Sequence, residues 1–178
     1  QLARATQLLG DAVFIEVSSD LEAAGNILDA IDALGECPGI ILANIAPREA
    51  KAKKRENGSP FGYFWYKNIL VVTTVDGLIL SLVKKIALTD FAYVLDTGEA
   101  VREMIRDGLV ENGKDHSIRK SQFRSYDFLP YVALYLLEKK KMKAEKISME
   151  KIVDAPPSVW WVDNFGNCKT TFFPEDIS

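Results

Sequence analysis

The chain has 178 residues and a mass of 19.9 kDa, with 48% hydrophobic and 26% charged residues, which excludes a disordered chain and allows one sizeable core with a small satellite. Its 22 basic and 25 acidic residues give a formal net charge of -3, without the broad basic excess of a dedicated nucleic-acid binder. Two distant cysteines, one histidine and no apolar run of membrane-spanning length point to a soluble cytoplasmic protein with no disulfide framework, zinc centre, nucleic-acid partner or membrane partner.

Residues 1–9 have helical spacing and stop at Gly10. The β-branched, apolar run 13–17 then reads as a strand ending at Ser18. Ser19 or Asp20 can cap the helix that follows over 21–34, whose apolar face is Ala24, Ile27, Leu28, Ile31 and Leu34. Gly35 ends it. Residues 40–45 are apolar at nearly every position, as in a strand buried on both faces. The loop 46–59 holds Arg48, Lys51, Lys53, Lys54 and Arg55 against Glu49 and Glu56.

Strands are expected at 63–66 and 69–74, turned at Lys67 and Asn68, with a helix over 78–86 after Asp76 and Gly77. Another strand is expected at 91–95 and a short helix at 99–106, followed by a polar loop, 111–119, that carries His116. A helix over 127–141 takes Pro130 in its first turn and ends in three lysines, which suits its dipole. Strands alternating with helices imply a layered, mainly parallel α/β sheet with flanking helices. After Pro156 and Pro157 the pattern changes to a hairpin, with strands at 158–163 and 168–173 around a tight turn. The expected division is an α/β domain over 1–145, lacking an opening strand, and a small C-terminal β region over 146–178.

The aromatic side chains of residues 63–66, with Trp160 and Trp161, read as core or subunit-interface residues. His116 reads as a surface residue. Cys37 and Cys168 read as packed rather than nucleophilic.

Five segments carry a resemblance. Residues 14–34 combine a strand, an acidic turn and an alanine-rich helix; 39–47 form a strand that leads to Pro47. Residues 72–82 place Asp76-Gly77 after a strand, 121–136 join a polar motif to a hydrophobic helix, and 162–167 read VDNFGN. In this order they resemble the S-adenosylmethionine hydroxide adenosyltransferases, the hydrolase relatives of fluorinating and chlorinating adenosyl enzymes. The resemblance implies an α/β domain, a small β domain and a homotrimer. It also implies an adenosyl ligand lying between the first domain of one subunit and the second domain of its neighbour. The ligand expected is then S-adenosylmethionine, adenosine or another purine compound, with no further cofactor.

The resemblance breaks where hydrolysis would occur. Ala46 stands at the family's loop aspartate and Arg124 at its histidine, while Tyr126 replaces an arginine and Asp127 is retained. Lys53 or Lys54 falls nearest the family's loop arginine. Neither a methyl group nor a guanidinium can accept a proton from water. The catalytic residues are therefore unknown, with Asp76 and Asp127 as the remaining carboxylates to consider.

Asp76, Arg124, Asp163, Phe165 and Asn167 are the ligand-binding candidates. Arg124 with the loop cations can hold an anion or simply form a solvated face. Phe165 can stack on a purine while Asn167 and Asp163 bond it, or all three can serve only the turn. Asp76 can face a ligand or cap a helix. Three functions stay open: ligand binding without the family's hydrolysis, an active hydrolase with rearranged residues, and a structural or interaction role.

Overall fold

A computed structural model describes residues 2–45, 59–120, 124–138 and 140–177. In chain order the helices are α1 (Leu2–Leu9), α2 (Asp20–Leu34), α3 (Ser81–Lys85), α4 (Thr97–Arg106), α5 (Asp115–Lys120), α6 (Arg124–Asp127) and α7 (Leu129–Leu137). The strands are β1 (Gly39–Ala43), β2 (Phe61–Tyr66), β3 (Ile69–Thr74), β4 (Phe91–Leu95), β5 (Ala144–Ser148), β6 (Val159–Val162) and β7 (Cys168–Thr170). The chain is thus α/β, with a five-stranded sheet in the order β1-β3-β2-β4-β5 and a separate two-stranded sheet of β6 and β7.

Among the described residues, only β1 and β3 pair in parallel; the pairs β2–β3, β2–β4 and β4–β5 are antiparallel. The mainly parallel sheet expected from strand–helix alternation is therefore a mixed one. The physical reason is the two-residue turn at Lys67 and Asn68, which folds β2 directly back on β3 with Tyr66 opposite Ile69. A crossover helix would have been needed to make that pair parallel.

Side-chain alternation sends the two faces of the sheet into different cores. Phe61, Tyr63, Leu70, Val72 and Leu95 pack on one side with α4, α5 and α7. Phe64, Ile69, Val71 and Ala92 pack on the other with Ile27 and Ile31 of α2 and Val83 of α3. Every residue of β3 is buried. Helices thus pack on both faces of the five-stranded sheet.

Residues 13–17 form no strand. They have no ladder partner, and Val13, Phe14 and Ile15 are exposed. β-propensity reports how a side chain fits a half-buried pleated surface, and no described strand runs beside this segment to supply one. α2 nevertheless begins where expected: Ser19 Oγ accepts from Glu22 N at 3.1 Å, and Glu22 Oε2 accepts from Ser18 N at 2.7 Å. The two bonds satisfy reciprocal groups at the helix start.

The helix expected over 127–141 is two pieces, because Phe128 at φ -124 and ψ -57 leaves helical geometry between α6 and α7. The lysines expected in its last turn lie beyond its end at Leu137. Within the polar stretch 111–119, α5 forms and buries Ile118 against the first core. β5 straddles position 145 and pairs with β4, so the large sheet continues past that point. No described helix is long and apolar enough to cross a membrane.

The hairpin of β6 and β7 sits on α2. Trp160 packs with Leu21, Ala24 and Leu82, and Lys169 pairs with Asp29 of α2. Lys85 of α3 donates to Thr171 O at 2.7 Å. Thr171 is itself buried, and its hydroxyl donates to Pro156 O at 2.8 Å while accepting from Ser158 N at 2.9 Å.

Candidate functional site

The parallel pair β1–β3 has its carboxyl ends at Ala43 and Thr74. The crevice beyond the carboxyl ends of parallel strands is the usual ligand position in α/β sheets. Here Thr74 Oγ1 donates to Ile45 O at 2.9 Å, which ties the two strand ends together. Asp76 lies two residues beyond Thr74 and is half-buried. Its carboxylate accepts from Gly77 N at 3.1 Å and from Ser59 Oγ at 3.4 Å. Asp20, from the first turn of α2, accepts from Leu78 N at 2.8 Å.

Asp76 therefore fixes the loop ahead of α3 and is not its cap. The cap position is Leu80, which makes no side-chain capping bond. Gly77 at φ +67 permits the sharp turn that brings its N–H back onto Asp76. Ser59 and Asp20 join Asp76 as polar groups beyond these strand ends. Sequence reading gave Asp20 only a capping role and did not single out Ser59. Two carboxylates at such a position suit the acceptance of hydrogen bonds from ligand hydroxyls.

Asp163, Phe165 and Asn167 lie together in the β6–β7 turn. Asp163 Oδ1 accepts from Phe165 N and Asn167 N, both at 2.8 Å, and its Oδ2 accepts from the Asn167 side-chain amide at 2.7 Å. Gly166 sits at φ +86, and its N–H donates to Asp163 O at 3.1 Å. The turn role of these residues is thus shown in full. Phe165 is 83% exposed, so its ring does not pack in the core. Among the described residues, no hydrogen bond or ion pair joins this turn to Asp76.

The side-chain amide of Asn167 holds the Asp163 carboxyl below its ordinary range against the opposing effect of desolvation, with the backbone N–H groups of Asn167, Phe165 and Gly166 adding to the lowering. A carboxylate with a lowered folded pKa stabilises the fold above its unfolded pKa, and that stabilisation is lost as pH falls through the folded value. The turn is expected to stay ordered as pH falls through the ordinary aspartate value of about 4 and to loosen only below it. Chemical shifts of the Asn167 side-chain amide across an acid titration check this. Loosening above the ordinary value would contradict it.

Arg124 opens α6, and its side chain lies outside the described residues, as do Ala46 and the basic run from Arg48 to Arg55. Asp127 closes α6, half-buried beside the fully buried Phe128. Tyr126 is held by a residue that sequence reading missed. Arg4 of α1 donates to Tyr126 Oη at 3.0 Å and stacks over the Tyr126 ring at 4.6 Å. The helical pattern of α1 showed its apolar stripe but not the aromatic partner of its one arginine. His116 is exposed on α5, and Cys37 and Cys168 are exposed free thiols rather than packed ones. Both sit next to turns, where too little chain passes over them to cover a side chain. Among the described residues no group of three His, Cys, Asp or Glu is placed to hold a metal.

No protein-family model matches the chain, and neither does any curated protein or solved structure.

Proposed function

We propose that the chain is a divergent adenosyl-hydrolase-like protein that binds an adenosyl or nucleotide ligand, with the family's hydrolytic residues replaced. The ligand's hydroxyls would meet Asp76 at the crevice of one subunit, and its purine would meet Phe165 and Asn167 of a neighbour. Arg124, where the family has a histidine, would lend positive charge to the same cleft. The homotrimer implied by the resemblance brings these parts together, with residues 146–178 acting as the closing unit.

The observation that carries this reading is the presentation of Phe165. An aromatic ring stands almost fully in solvent on a turn made rigid by three bonds to Asp163. A rigid platform loses little entropy when a base stacks on it. The neighbouring exposure of Val159, Trp161, Val162 and Phe172 also suits a face covered by another subunit.

Calorimetry with S-adenosylmethionine and adenosine, on protein whose mass is fixed by light scattering, tests the proposal. Saturable binding is expected. Phe165→Ala should weaken it by about tenfold, the scale of one lost base–aromatic stack, without changing the mass. No saturable binding to a confirmed trimer would remove the reading. Adenosine released above a buffer blank would instead favour an active hydrolase with rearranged residues. A trimer whose exposed hairpin face is covered but which binds neither compound would favour the structural role.

A further inference from the structure

We infer a second ligand site at the other end of the sheet: the cavity walled by Tyr63, Trp65 and Tyr93 and rimmed by Lys140 and Lys141 takes a flat aromatic ring bearing an anionic substituent. The cavity has a volume of about 450 Å³ and is completed by Leu136, Met142 and Ala144. That volume lies in the range of small-molecule sites, and its apolar floor with few polar groups has their usual chemistry.

The cavity follows from where one helix stops. Strand alternation places Phe61, Tyr63 and Trp65 on the same face of β2. Phe61 and Tyr63 lie under the helical layer, but α7 ends at Leu137. Trp65, the next residue outward on that face, is left 41% exposed. Tyr63 is directly opposite Tyr93 on β4, and their rings stack at 5.1 Å with planes 17° apart. Each ring covers a face of the other, so the ring left free to stack on a ligand is the Trp65 indole. It has no aromatic partner among the described residues.

The chain then leaves α7 and returns to β5 through Lys140, Lys141 and Met142, which carries two cations across the open side. Lys140 is engaged: its ammonium lies 2.7 Å from Glu138 and 5.2 Å from the Tyr135 ring. Lys141 is exposed and forms no ion pair among the described residues. The Tyr63 phenol is a hydrogen-bond donor at neutral pH, as an ordinary phenol is, and burial and then the nearby Tyr93 push it further up. Stacking surface, a phenolic donor and an uncommitted ammonium together select a planar anion over a neutral ring or an aliphatic acid.

This cavity is independent of the Asp76 crevice. Trp65 stands opposite Leu70 near the start of β3, whereas Asp76 follows its end. Titration with 1-naphthyl phosphate, 1-naphthoate and uncharged 1-naphthol, read at the Trp65 indole N–H by NMR, tests the assignment. Both anions should shift that resonance saturably, and the tighter of them identifies phosphate or carboxylate as the preferred substituent. Naphthol should bind about tenfold more weakly or worse, and Trp65→Ala and Lys141→Glu should each weaken the anions about tenfold, the scale of one lost stacking or charge contact. Phe165→Ala should leave them unchanged. The two substituted side chains are exposed, so the fold should persist in either variant. The assignment is overturned if no probe shifts Trp65 saturably, if naphthol binds as tightly as the anions, or if the two substitutions leave their affinity intact.

Discussion

Phe128→Ala is expected to lower the free energy of unfolding by about 3–5 kcal/mol, the usual cost of emptying a buried phenylalanine site. Phe128 is 0% exposed and lies at the break between α6 and α7. Its ring centre is 5.6 Å from that of Phe61 on β2, with planes inclined at 44°. The residue therefore fastens the helical layer to the sheet at the point where the helix itself is interrupted. The non-helical backbone at Phe128 limits how far α7 can slide to fill the void, so the cavity term adds to the lost burial. Domains of ordinary stability hold only about 5–15 kcal/mol in total. Urea unfolding should show an earlier midpoint with an unchanged slope, and Phe128→Leu should recover much of the loss. A loss below about 1 kcal/mol would place the residue outside a close-packed core.

The same residue shows what could be read from the sequence. A hydrophobic helix after residue 127 was legible from its periodicity, and Pro130 was placed correctly in the first turn. The break at Phe128 was not, because it depends on how one ring fits between a helix and Phe61. β3 and β4 were legible in place, since each is a short run dominated by β-branched, aromatic and other apolar residues. β5 was missed: its sequence AEKIS is charged at two of five positions and half exposed, and only its pairing with β4 defines it. The run 13–17 failed in the opposite sense, with strand composition but no strand beside it.

Local chemistry was legible at the site as well. The bonds of Asp163 close over five residues, and an Asp-x-x-Gly-Asn turn announces them. The anchoring of Leu78 by Asp20 spans fifty-eight positions, so no sequence window contains it. Trp65 likewise gave no local sign of a cavity. Its exposure is decided by the end of α7, more than seventy positions later.

Gly25→Ala is expected to loosen the hairpin from α2, although helix propensity argues the other way. Alanine in a helix interior is favoured over glycine by about 1 kcal/mol, so a hairpin that merely lay near α2 would leave the variant more stable. Gly25 is buried, and a β-carbon built there would lie 2.5 Å from Trp160 Cη2 and 2.6 Å from two further atoms of the same indole. Three close contacts to one rigid ring cannot be relieved by turning a flexible side-chain tip; the whole indole must move. Trp160 is held in turn by its N–H donation to Thr170 O and by the Lys169 cation 5.3 Å from its ring. Displacing it therefore strains the hairpin and its ion pair with Asp29 together. Overpacking of this kind costs about 1–3 kcal/mol, enough to cancel or reverse the propensity gain. The expected result is a hairpin cleaved faster by protease and a shifted Trp160 indole resonance, with α2 intact by circular dichroism. Under the proposed function, loss of purine affinity should follow, because the Phe165 platform rides on the same hairpin. A variant that gains stability and keeps the Trp160 resonance in place would show that the indole does not seat on Gly25.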